Sequence, residues 1–548
     1  MRGRLVDPAA LAEVEAVVGS HPRERRHLLT LLHRIQDHHG YLAARHLAAL
    51  AQVLNLTPAQ VYEVATFYSQ FIVVADGEEP PPGVVVRVCD GLACAMAGSE
   101  QLLLDASAAL GSGARVLRAP CMGRCDQAPV ASANHRHLGC ATVEKLEQAI
   151  AGGDLDAVIP PYVPLAEYRA AGGYRLLQGC LEGSIRRDEV IGVLSDSRLR
   201  GLGGAGYPAG QKWKSVARLP RPKFVAVNFD ESEMGTFKDR FFVSRDPHRL
   251  IEGALVAAWA VEANQAYIYL RDEYHDVRQV LEAEIEMVRE AGLNPHCRLT
   301  LSRGAGAYVC GERSAMLESI EGKRGLPRLK DPRTTVVGLF GIPTLINNAE
   351  TLYWVRDIVE RGAEWFAGQG RNGRSGPRSF SVSGRVREPG VKLAQAGITM
   401  NELLAEFCGG MQPGHRFKGY CLGGSSGGIL PAHMADIPLD FDTLEAYGCS
   451  IGSAAITVFS DQDAIKDIVL NLMRFFEEES CGQCTPCRVG TEKAVMLLEA
   501  GRWDEELLTD ICDVMETASI CGLGIAAPHP IRSALRYFRE ELALGALP

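Results

Sequence analysis

The sequence predicts a multidomain α/β and α+β protein with helical domains at both ends. Apolar residues recur at helical spacing near both termini, and buried-strand patterns alternate with helical patterns between residues 181 and 375. Short strands rich in turn residues follow between 376 and 440. At 548 residues, with 47% of them hydrophobic, the chain is long enough for several domains with ordinary cores.

The predicted domain order follows from these changes in pattern. In the first segment, Leu28, Leu32 and Ile35 share one helical face, and Thr57-Pro58 has the residue types of a helix start. Three consecutive prolines then mark a linker. The predicted boundaries are a helical bundle at 1–76, a small strand-and-helix domain at 84–158, a linker at 159–180, an α/β domain with a mostly parallel sheet at 181–375, a β-grasp-like domain at 376–440 and a helical domain at 441–548.

Two pairs of cysteines follow predicted strands in the second domain. Cys89 and Cys94 form one pair, and Cys121 and Cys125 form the other. Four thiolates on loops are typical of a metal site. Zinc remains an alternative, but its ligands usually stand as close pairs inside knuckles, so the looser spacing favours a [2Fe–2S] cluster.

A second set of four cysteines lies in the C-terminal helical region. Cys481, Cys484 and Cys487 stand at intervals of three residues, and Cys521 follows a later helix. This arrangement suits a [4Fe–4S] cluster, with zinc again as the alternative. A disulfide framework is not expected from the 16 cysteines, because such frameworks belong to small secreted domains.

Five glycines occur within residues 201–210. Glycines this dense allow backbone amides to approach a flat or anionic ligand, such as a phosphate-bearing cofactor. Gly201, Gly203 and Gly206 spell G-x-G-x-x-G, but the preceding residues have a helical pattern, whereas the dinucleotide fingerprint follows a strand. A flexible loop therefore remains the alternative for this segment alone.

Three polar segments lie where predicted parallel strands or their loops end. They are residues 228–233, 306–312 and 347–351. Ligands of parallel α/β sheets gather at the carboxyl ends of strands, and the carboxylates and amides of these segments can bond ribityl hydroxyls and an isoalloxazine edge. Acidic surface turns are the alternative for any one of them.

Charge and hydropathy exclude some partners. The formal charge of −10 and the lack of a basic block argue against nucleic acid. No window approaches the ~18 apolar residues of a membrane span, and no secretory signal is visible. These features predict a cytoplasmic protein.

Taken together, the motifs resemble two subunits of respiratory complex I fused in one chain. About the first 155 residues resemble the 24-kDa-type subunit, a helical bundle followed by a thioredoxin-like [2Fe–2S] domain, and the chain from about 180 resembles the 51-kDa-type, NADH-oxidising flavoprotein subunit. The resemblance implies a Rossmann-like domain for FMN, a β-grasp domain and a C-terminal helical bundle around the [4Fe–4S] cluster.

The resemblance also implies roles for individual residues. It assigns Cys89, Cys94, Cys121 and Cys125 to the [2Fe–2S] cluster, and Cys481, Cys484, Cys487 and Cys521 to the [4Fe–4S] cluster. The expected FMN contacts are Gly201, Gly203, Gly204, Ala205, Gly206, Tyr207, Asn228, Asp230, Glu231, Tyr308, Gly311, Asn347, Asn348 and Thr351. The residues expected at NAD or NADP are Gly204, Tyr207, Lys212, Glu233, Glu312, Arg313 and Lys330.

Fusions of this kind are typical of the diaphorase subunits of soluble formate dehydrogenases and NAD-linked hydrogenases. Residues 378–386, 439–444 and 451–455 are most similar to the β subunit of molybdenum- or tungsten-dependent formate dehydrogenase. No pterin-site signature is visible, so formate oxidation would belong to a partner subunit with a molybdenum or tungsten pterin and further Fe–S clusters.

The chain departs from the family at the dinucleotide site. Arg313 stands where the family has a glutamate expected near the adenosine ribose, and Ser215 and Arg333 replace stacking aromatics. A guanidinium pairs with a 2′-phosphate where a carboxylate repels it, so one alternative is a site that prefers or tolerates NADP. Another is weaker binding of nicotinamide cofactors, because stacking area is lost. The third is a compensated site that still uses NAD, which is favoured by the retained Tyr207, Lys212, Glu233 and Lys330.

Three further functions remain open from the sequence. The module can serve a hydrogenase or a complex I-like quinone reductase, or it can be an electron carrier whose dinucleotide site has decayed. A zinc-stapled structural protein is disfavoured by two sets of cysteines at iron–sulfur spacing.

Overall fold

A computed structural model describes residues 6–544. The chain begins with four helices and a two-residue parallel pairing of β1 with β2, which agrees with the predicted helical bundle within the described residues. The elements are α1 (Pro8–Val18), α2 (Leu28–His39), β1 (Leu42–Ala43), α3 (Ala44–Val53), α4 (Pro58–Phe67) and β2 (Val73–Val74). A capping box starts α4, because Thr57 Oγ1 accepts from the Gln60 backbone N–H at 3.3 Å while the Thr57 N–H donates to Gln60 Oε1 at 2.9 Å.

The next domain is a four-stranded sheet with helices on it. Its elements are β3 (Val85–Cys89), α5 (Leu92–Met96), α6 (Ser99–Leu110), β4 (Arg115–Ala119), β5 (Ala131–Ala133), β6 (Arg136–Leu138) and α7 (Val143–Ala151). The strand order is β4-β3-β5-β6, in which β3 and β4 are parallel and the other pairs antiparallel. Cys89 and Ala119 are partners at the carboxyl ends of the parallel strands β3 and β4. Both cysteine pairs therefore lie at the same end of this sheet.

The third domain is built on a fully parallel sheet of order β10-β7-β8-β9. Its elements are α8 (Leu165–Ala170), α9 (Arg175–Glu182), α10 (Arg187–Asp196), α11 (Ala209–Ala217), β7 (Phe224–Phe229), α12 (Lys238–Val243), α13 (Pro247–Val261), β8 (Gln265–Leu270), α14 (His275–Glu290), β9 (Arg298–Arg303), α15 (Arg313–Ile320), β10 (Thr344–Asn348), α16 (Ala349–Tyr353), α17 (Val355–Arg361) and α18 (Ala363–Ala367). The glycine loop connects α10 to α11 and lies over the carboxyl end of β10.

The predicted linker at 159–180 is wrong, because α8 and α9 belong to this third domain. Tyr168, Leu177 and Cys180 are buried in its core. Glu252, which is buried on α13, accepts hydrogen bonds from the Tyr168 hydroxyl at 2.7 Å and the Tyr174 N–H at 3.0 Å. Burial of these apolar side chains and satisfaction of the buried carboxylate hold the segment in place.

The fourth domain has a five-stranded mixed sheet of order β12-β11-β15-β13-β14. Its elements are β11 (Pro377–Gly384), β12 (Gly390–Gln395), α19 (Met400–Phe407), β13 (Phe417–Leu422), β14 (Ile429–Pro431) and β15 (Ala455–Ser460). The predicted boundary at residue 440 is wrong, because β15 is the central strand and pairs with both β11 and β13. All six residues of β15 are buried, so the strand lacks the alternation that marks a half-exposed strand.

The described chain ends in five helices. They are α20 (Ile465–Glu478), α21 (Thr485–Glu499), α22 (Glu505–Ala518), α23 (Gly522–Ala526) and α24 (His529–Tyr537). Ile468, Leu472 and Phe476 form the buried stripe of α20 that its sequence predicts. Between residues 6 and 544 no helix has the length and apolar character needed to cross a bilayer.

Candidate functional site

The first cysteine set forms one compact, buried group of sulfur atoms. Cys121 Sγ lies 3.2 Å from Cys125 Sγ, and all four residues are at most 5% exposed. Hydrogen bonds to Cys121 and then Cys94 raise the pKa of the Cys89 thiol, whereas hydrogen bonds from Cys125 and Cys89 lower the pKa of Cys121. Buried sulfurs that contact one another in this way fit a cationic centre bound by thiolates, as in a [2Fe–2S] cluster.

Side chains of the α/β domain hold the loops that carry these cysteines. Arg271 donates to the Cys121 carbonyl and the Glu231 carbonyl, both at 2.7 Å, and Arg240 donates to the Gly123 carbonyl at 2.9 Å. Neither arginine was identified from the sequence. Charged residues after strands have no distinguishing motif, and their burial follows only from the packing of the two domains.

The second cysteine set lies at helix N-termini. Cys484 is the N-cap residue of α21, Cys487 is in its first turn and Cys521 is the N-cap residue of α23. Burial, together with the neighbouring thiols, raises the pKa of Cys487 to about 11. Helix N-termini stabilise negative charge, so this position favours thiolates and an anionic cluster once a metal replaces the protons.

The glycine loop approaches its surroundings too closely for side chains at two positions. A Cβ on Gly203 would lie 2.9 Å from Asn348 Cβ, and a Cβ on Gly206, where φ is +61°, would lie 2.6 Å from Phe441 Cδ1. The Leu202 N–H donates to Thr351 Oγ1 at 2.9 Å. These contacts bring the loop onto the start of α16. We call the loop, residues 201–210, together with the strand ends below it the cradle, and such a close approach is what the predicted cofactor site requires.

Two asparagines at neighbouring strand ends form the floor of this cradle. Asn228 and Asn348 are partners in the parallel register of β7 and β10. Asn347 Oδ1 accepts from Trp213 Nε1 at 3.0 Å, which orients the amide, while Asn347 Nδ2 is buried and has no hydrogen-bond partner among the described atoms. A buried donor without a partner beside a glycine cradle fits a ligand with acceptor oxygens, such as FMN.

The predicted acidic residues occupy different positions. Burial raises the pKa of Asp230 to about 7, and the Asp230 N–H donates to Asn228 Oδ1 at 3.1 Å. The Glu231 carboxylate instead accepts from the backbone N–H groups of Asp239 at 2.7 Å and Arg240 at 3.0 Å. Glu231 therefore fixes the start of α12, and its carboxylate is occupied by protein donors.

Glu233 and Lys212 lie on the side of the cradle where the dinucleotide is predicted. Glu233 accepts from the Tyr308 hydroxyl and from the Ser425 N–H, the latter at 2.8 Å. Lys212 Nζ donates to the Ile346 carbonyl at 3.1 Å. Burial, and then the charge of Arg313, lower the pKa of Lys212 to about 8. Ser425 was not identified from the sequence, although the run of glycine and serine at residues 423–428 is a visible signal for a close loop.

The remaining predicted dinucleotide residues lie at the surface or in helix caps. The Tyr207 residue is 50% exposed, the Arg313 side chain is 65% exposed and Lys330 is exposed. Glu312 caps α15 by accepting from the backbone N–H groups of Ser314 and Ala315. Gly204 and Ala205 stay accessible in the loop, and Gly311 accepts from Asn228 Nδ2 at 2.8 Å.

A small cavity is lined by residues that neighbour the predicted sites. Its walls include Pro120 beside Cys121, Asp230 and Tyr308 of the cradle, and Glu479 two residues before Cys481. Glu479 accepts from the Tyr308 N–H at 2.8 Å, and burial raises its pKa to about 7. A neighbour of Cys121, a residue two positions before Cys481 and two of the predicted FMN contacts therefore meet at one interior cavity.

Comparison with known families matches each of the three sites. Residues 194–357 match the Nuo51 FMN-binding domain, 14–153 the thioredoxin-like [2Fe-2S] ferredoxin family, and 467–544 the NADH-ubiquinone oxidoreductase-F iron-sulfur binding region. The matches confirm the predicted FMN, [2Fe–2S] and [4Fe–4S] cofactors, and they argue against the zinc alternatives.

Individual relatives cover most of the chain. The F 2 subunit of NADH-quinone oxidoreductase from Rhizobium meliloti (strain 1021) is 42% identical over 392 residues, which are 69% of this chain and 93% of that protein. The F subunit of the Streptomyces coelicolor (strain ATCC BAA-471 / A3(2) / M145) enzyme is 41% identical over 392 residues, 68% and 86% of the two chains. A crystal structure of an NAD+-reducing [NiFe]-hydrogenase in the H2-reduced state matches with a TM-score of 0.83 and 32% identity, over 96% of this chain and 94% of that one.

The fold and these sites define an NAD-linked flavoprotein subunit that transfers electrons through iron–sulfur clusters. The chain belongs to the family of NADH-quinone oxidoreductase F subunits, with a thioredoxin-like [2Fe–2S] domain joined at its N-terminal side.

Proposed function

We propose that this chain is the diaphorase subunit of an NAD-linked formate dehydrogenase. In this role it passes electrons between NAD(P)(H) and a partner subunit that holds a molybdenum or tungsten pterin. The interior cavity bordered by Pro120, Asp230, Tyr308 and Glu479 is the main support for the diaphorase role, because segments adjacent to both cysteine sets meet predicted flavin contacts there. A cytoplasmic location is part of the same proposal.

The proposal gives each group of residues a task. The cysteines 89, 94, 121 and 125 would bind the [2Fe–2S] cluster, and 481, 484, 487 and 521 the [4Fe–4S] cluster. When bound, FMN exchanges a hydride with nicotinamide and single electrons with iron–sulfur clusters. The protein would supply position: the buried Asn347 amide and the glycine loop would hold the flavin, and the Glu233–Tyr308 hydrogen bond would fix the adjoining wall on the dinucleotide side. No side chain is assigned as an acid or base.

The formate assignment depends on sequence similarity in three segments. Residues 378–386 form most of β11, residues 439–444 include Phe441 under the glycine loop, and 451–455 lead into β15. All three therefore pack in the fourth domain, behind the cradle. Similarity over 96% of the chain to the NAD+-reducing hydrogenase favours a hydrogenase diaphorase as the second candidate.

The dinucleotide is proposed to be NAD, with NADP accepted through Arg313. The Arg313 charge contributes to the lowered pKa of Lys212, so the two cations interact electrostatically, and we infer that they border one space. A phosphate group in that space would gain a charge-assisted hydrogen bond from the guanidinium.

The diaphorase role is tested by anaerobic titration of the purified chain with NADH and, separately, with NADPH, while the absorbance of bound flavin is followed. We expect bleaching by at least one of them. Flavin that is present but reduced by neither would replace the proposal with an electron carrier whose dinucleotide site has decayed.

The formate assignment needs the native complex. We expect it to contain molybdenum or tungsten and to reduce NAD+ with formate. A complex that contains nickel and reduces NAD+ with H2 instead would select the hydrogenase diaphorase, and one that reduces quinone would select a complex I-like enzyme.

A further inference from the structure

Three metal-ligating side chains meet in the N-terminal helical bundle, far along the chain from the cluster cysteines. Glu13 lies on α1, His39 is the last residue of α2 and His46 lies on α3. One ligand atom from each can be chosen so that all three lie within 4.8 Å of one another. The residues are thus contributed by three different helices and converge on one point.

The two histidines carry ring nitrogens that the protein leaves without partners. The His46 side chain is fully buried, and its Nδ1 has no hydrogen-bond partner among the described atoms. His39 Nε2 is likewise buried without a partner among them, and the two rings stack at 4.4 Å between centroids. A buried imidazole nitrogen without a partner is costly, and coordination of a metal ion by His39 Nε2 would remove that cost at His39.

Glu13 can supply the third ligand in place of its hydrogen bond to His46. His46 Nε2 lies 2.7 Å from Glu13 Oε2, and Arg45 Nη2 lies 3.3 Å from the same oxygen. An ion bound between His46 Nε2 and the Glu13 carboxylate would replace this hydrogen bond. Arg45 is about half exposed, so its pairing with Glu13 is screened by solvent.

We propose that Glu13, His39 and His46 form a binding site for one divalent transition-metal ion, with Zn²⁺ as the best-suited species. Imidazole and carboxylate at ligand distances of about 2.0–2.2 Å are typical of zinc, and three protein ligands leave a fourth position for water. Tetrahedral coordination at these distances places ligand atoms about 3.3–3.5 Å apart, which requires only small side-chain movements here.

The surroundings provide a route for the ion. Glu13, His38 and His39 line an open cavity of about 680 Å³ that also includes Asp37. The bound ion would connect α1, α2 and α3, and the site is independent of the function proposed for the flavin and the clusters.

The test uses tag-free, full-length protein with its iron–sulfur clusters intact, titrated with Zn²⁺ by calorimetry. We expect one high-affinity site in the native protein. Because the loss of even an outer partner of a metal ligand typically costs about 10–100-fold in affinity, His39→Ala is expected to weaken binding by on the order of 100-fold. Glu13→Gln serves as a second variant, since it keeps the shape of the side chain and removes the anionic ligand.

His38→Ala is the matched control, because His38 is the exposed neighbour of His39 on the same helix. Its Zn²⁺ affinity is expected to equal that of the native protein. X-ray absorption at the zinc edge should show nitrogen and oxygen ligands with imidazole scattering and no sulfur. The proposal is overturned by a sulfur shell, by equal affinities in His38→Ala, His39→Ala and Glu13→Gln, or by the absence of stoichiometric binding.

Discussion

Residues on the flavin side of the candidate site are buried, whereas the outer residues of the dinucleotide side, Tyr207 and Arg313, are exposed. On the flavin side, Asn347 is 2% exposed, Thr351 is 1% exposed and Glu231 is 4% exposed. On the dinucleotide side, Tyr207 is 50% exposed and the side chain of Arg313 is 65% exposed. Both sides adjoin the same glycine loop, residues 201–210. Their different burial therefore does not reflect a different distance from that loop.

This difference matches what a permanent and an exchangeable ligand require. Glu231, Asn347 and Thr351 are held by hydrogen bonds within the protein, so little side-chain freedom is lost when a ligand binds beside them. Arg313 and Tyr207 are largely exposed, so fixing them against a ligand would cost side-chain entropy, which weakens binding and favours release. We propose that the buried residues form a rigid wall for FMN and that the exposed residues form a mobile wall for the dinucleotide.

The largest expected effect is on the rigid wall. Gly206→Val places a β-branched residue at φ +61° and a Cβ 2.6 Å from Phe441. Strain of this kind costs about 1–3 kcal/mol, and displacement of the loop should abolish FMN binding. Flavin released by denaturation of the purified variant gives the stoichiometry, which we expect to approach zero.

Gly192→Ala is the control for that substitution. Gly192 lies within α10, just before the same loop, and a Cβ there would meet no atom within 4 Å. We expect full flavin content and a slight gain in stability, since alanine favours the helix. Full flavin content in Gly206→Val would show that the loop is not a rigid cradle.

The second prediction separates the flavin wall from the cluster beside it. Cys484→Ala removes one of the cysteines at the N-terminus of α21 and should eliminate the [4Fe–4S] signal of the reduced protein in EPR spectra while FMN is retained. Cys140→Ala is the control, because Cys140 is an exposed cysteine outside both sets. Unchanged iron content and an unchanged spectrum in Cys484→Ala would show that this residue is not a ligand.

The third prediction concerns the mobile wall. Arg313→Glu exchanges a cation for an anion where we place the adenosine ribose, and should raise the ratio of kcat/KM for NAD(H) over NADP(H) by on the order of tenfold or more. Lys214→Glu makes the same charge change at an exposed position on α11 and should leave the ratio unchanged. If the ratio of kcat/KM for NAD(H) over NADP(H) is the same in both variants, Arg313 does not contact the dinucleotide.

Much of the fold follows from local sequence pattern. The alternation of buried-strand and helical patterns predicted between residues 181 and 375 agrees with strands such as β7 (Phe224–Phe229) and β8 (Gln265–Leu270), because buried runs bounded by polar residues identify central parallel strands. The two errors share one cause. Residues 159–180 and β15 are ordered by partners more than 70 residues away in sequence, such as Glu252 for Tyr168 and β11 for β15.

The site residues likewise fall into those that local sequence reveals and those that only tertiary packing reveals. Cysteine spacing and glycine density are local signals, so they could be identified from the sequence. Arg271 and Ser425 contribute through contacts between domains, namely with the Cys121 carbonyl and the Glu233 carboxylate. Residues of these types are usually solvent-exposed, and only the tertiary packing places them at the site.

The smallest expected effect is the change of kcat/KM with pH that titration of Lys212 causes. It is also the sharpest test of the boundary between the two walls. Burial and the Arg313 charge both disfavour its ammonium form and lower its pKa from 10.5 to about 8. The ammonium is therefore present below pH 8 and is lost above it, so kcat/KM for the anionic dinucleotide should fall by up to about tenfold between pH 7 and 9.

Lys212→Arg should flatten that fall, because a guanidinium keeps its charge throughout this range. In Arg313→Glu the fall should move to higher pH, since the nearby anion stabilises the ammonium. A native profile that is flat between pH 7 and 9, or one that Lys212→Arg leaves unchanged, would place Lys212 outside the dinucleotide contact. If the midpoint in Arg313→Glu stays at its native pH, the two cations do not share the space from which we infer the acceptance of NADP.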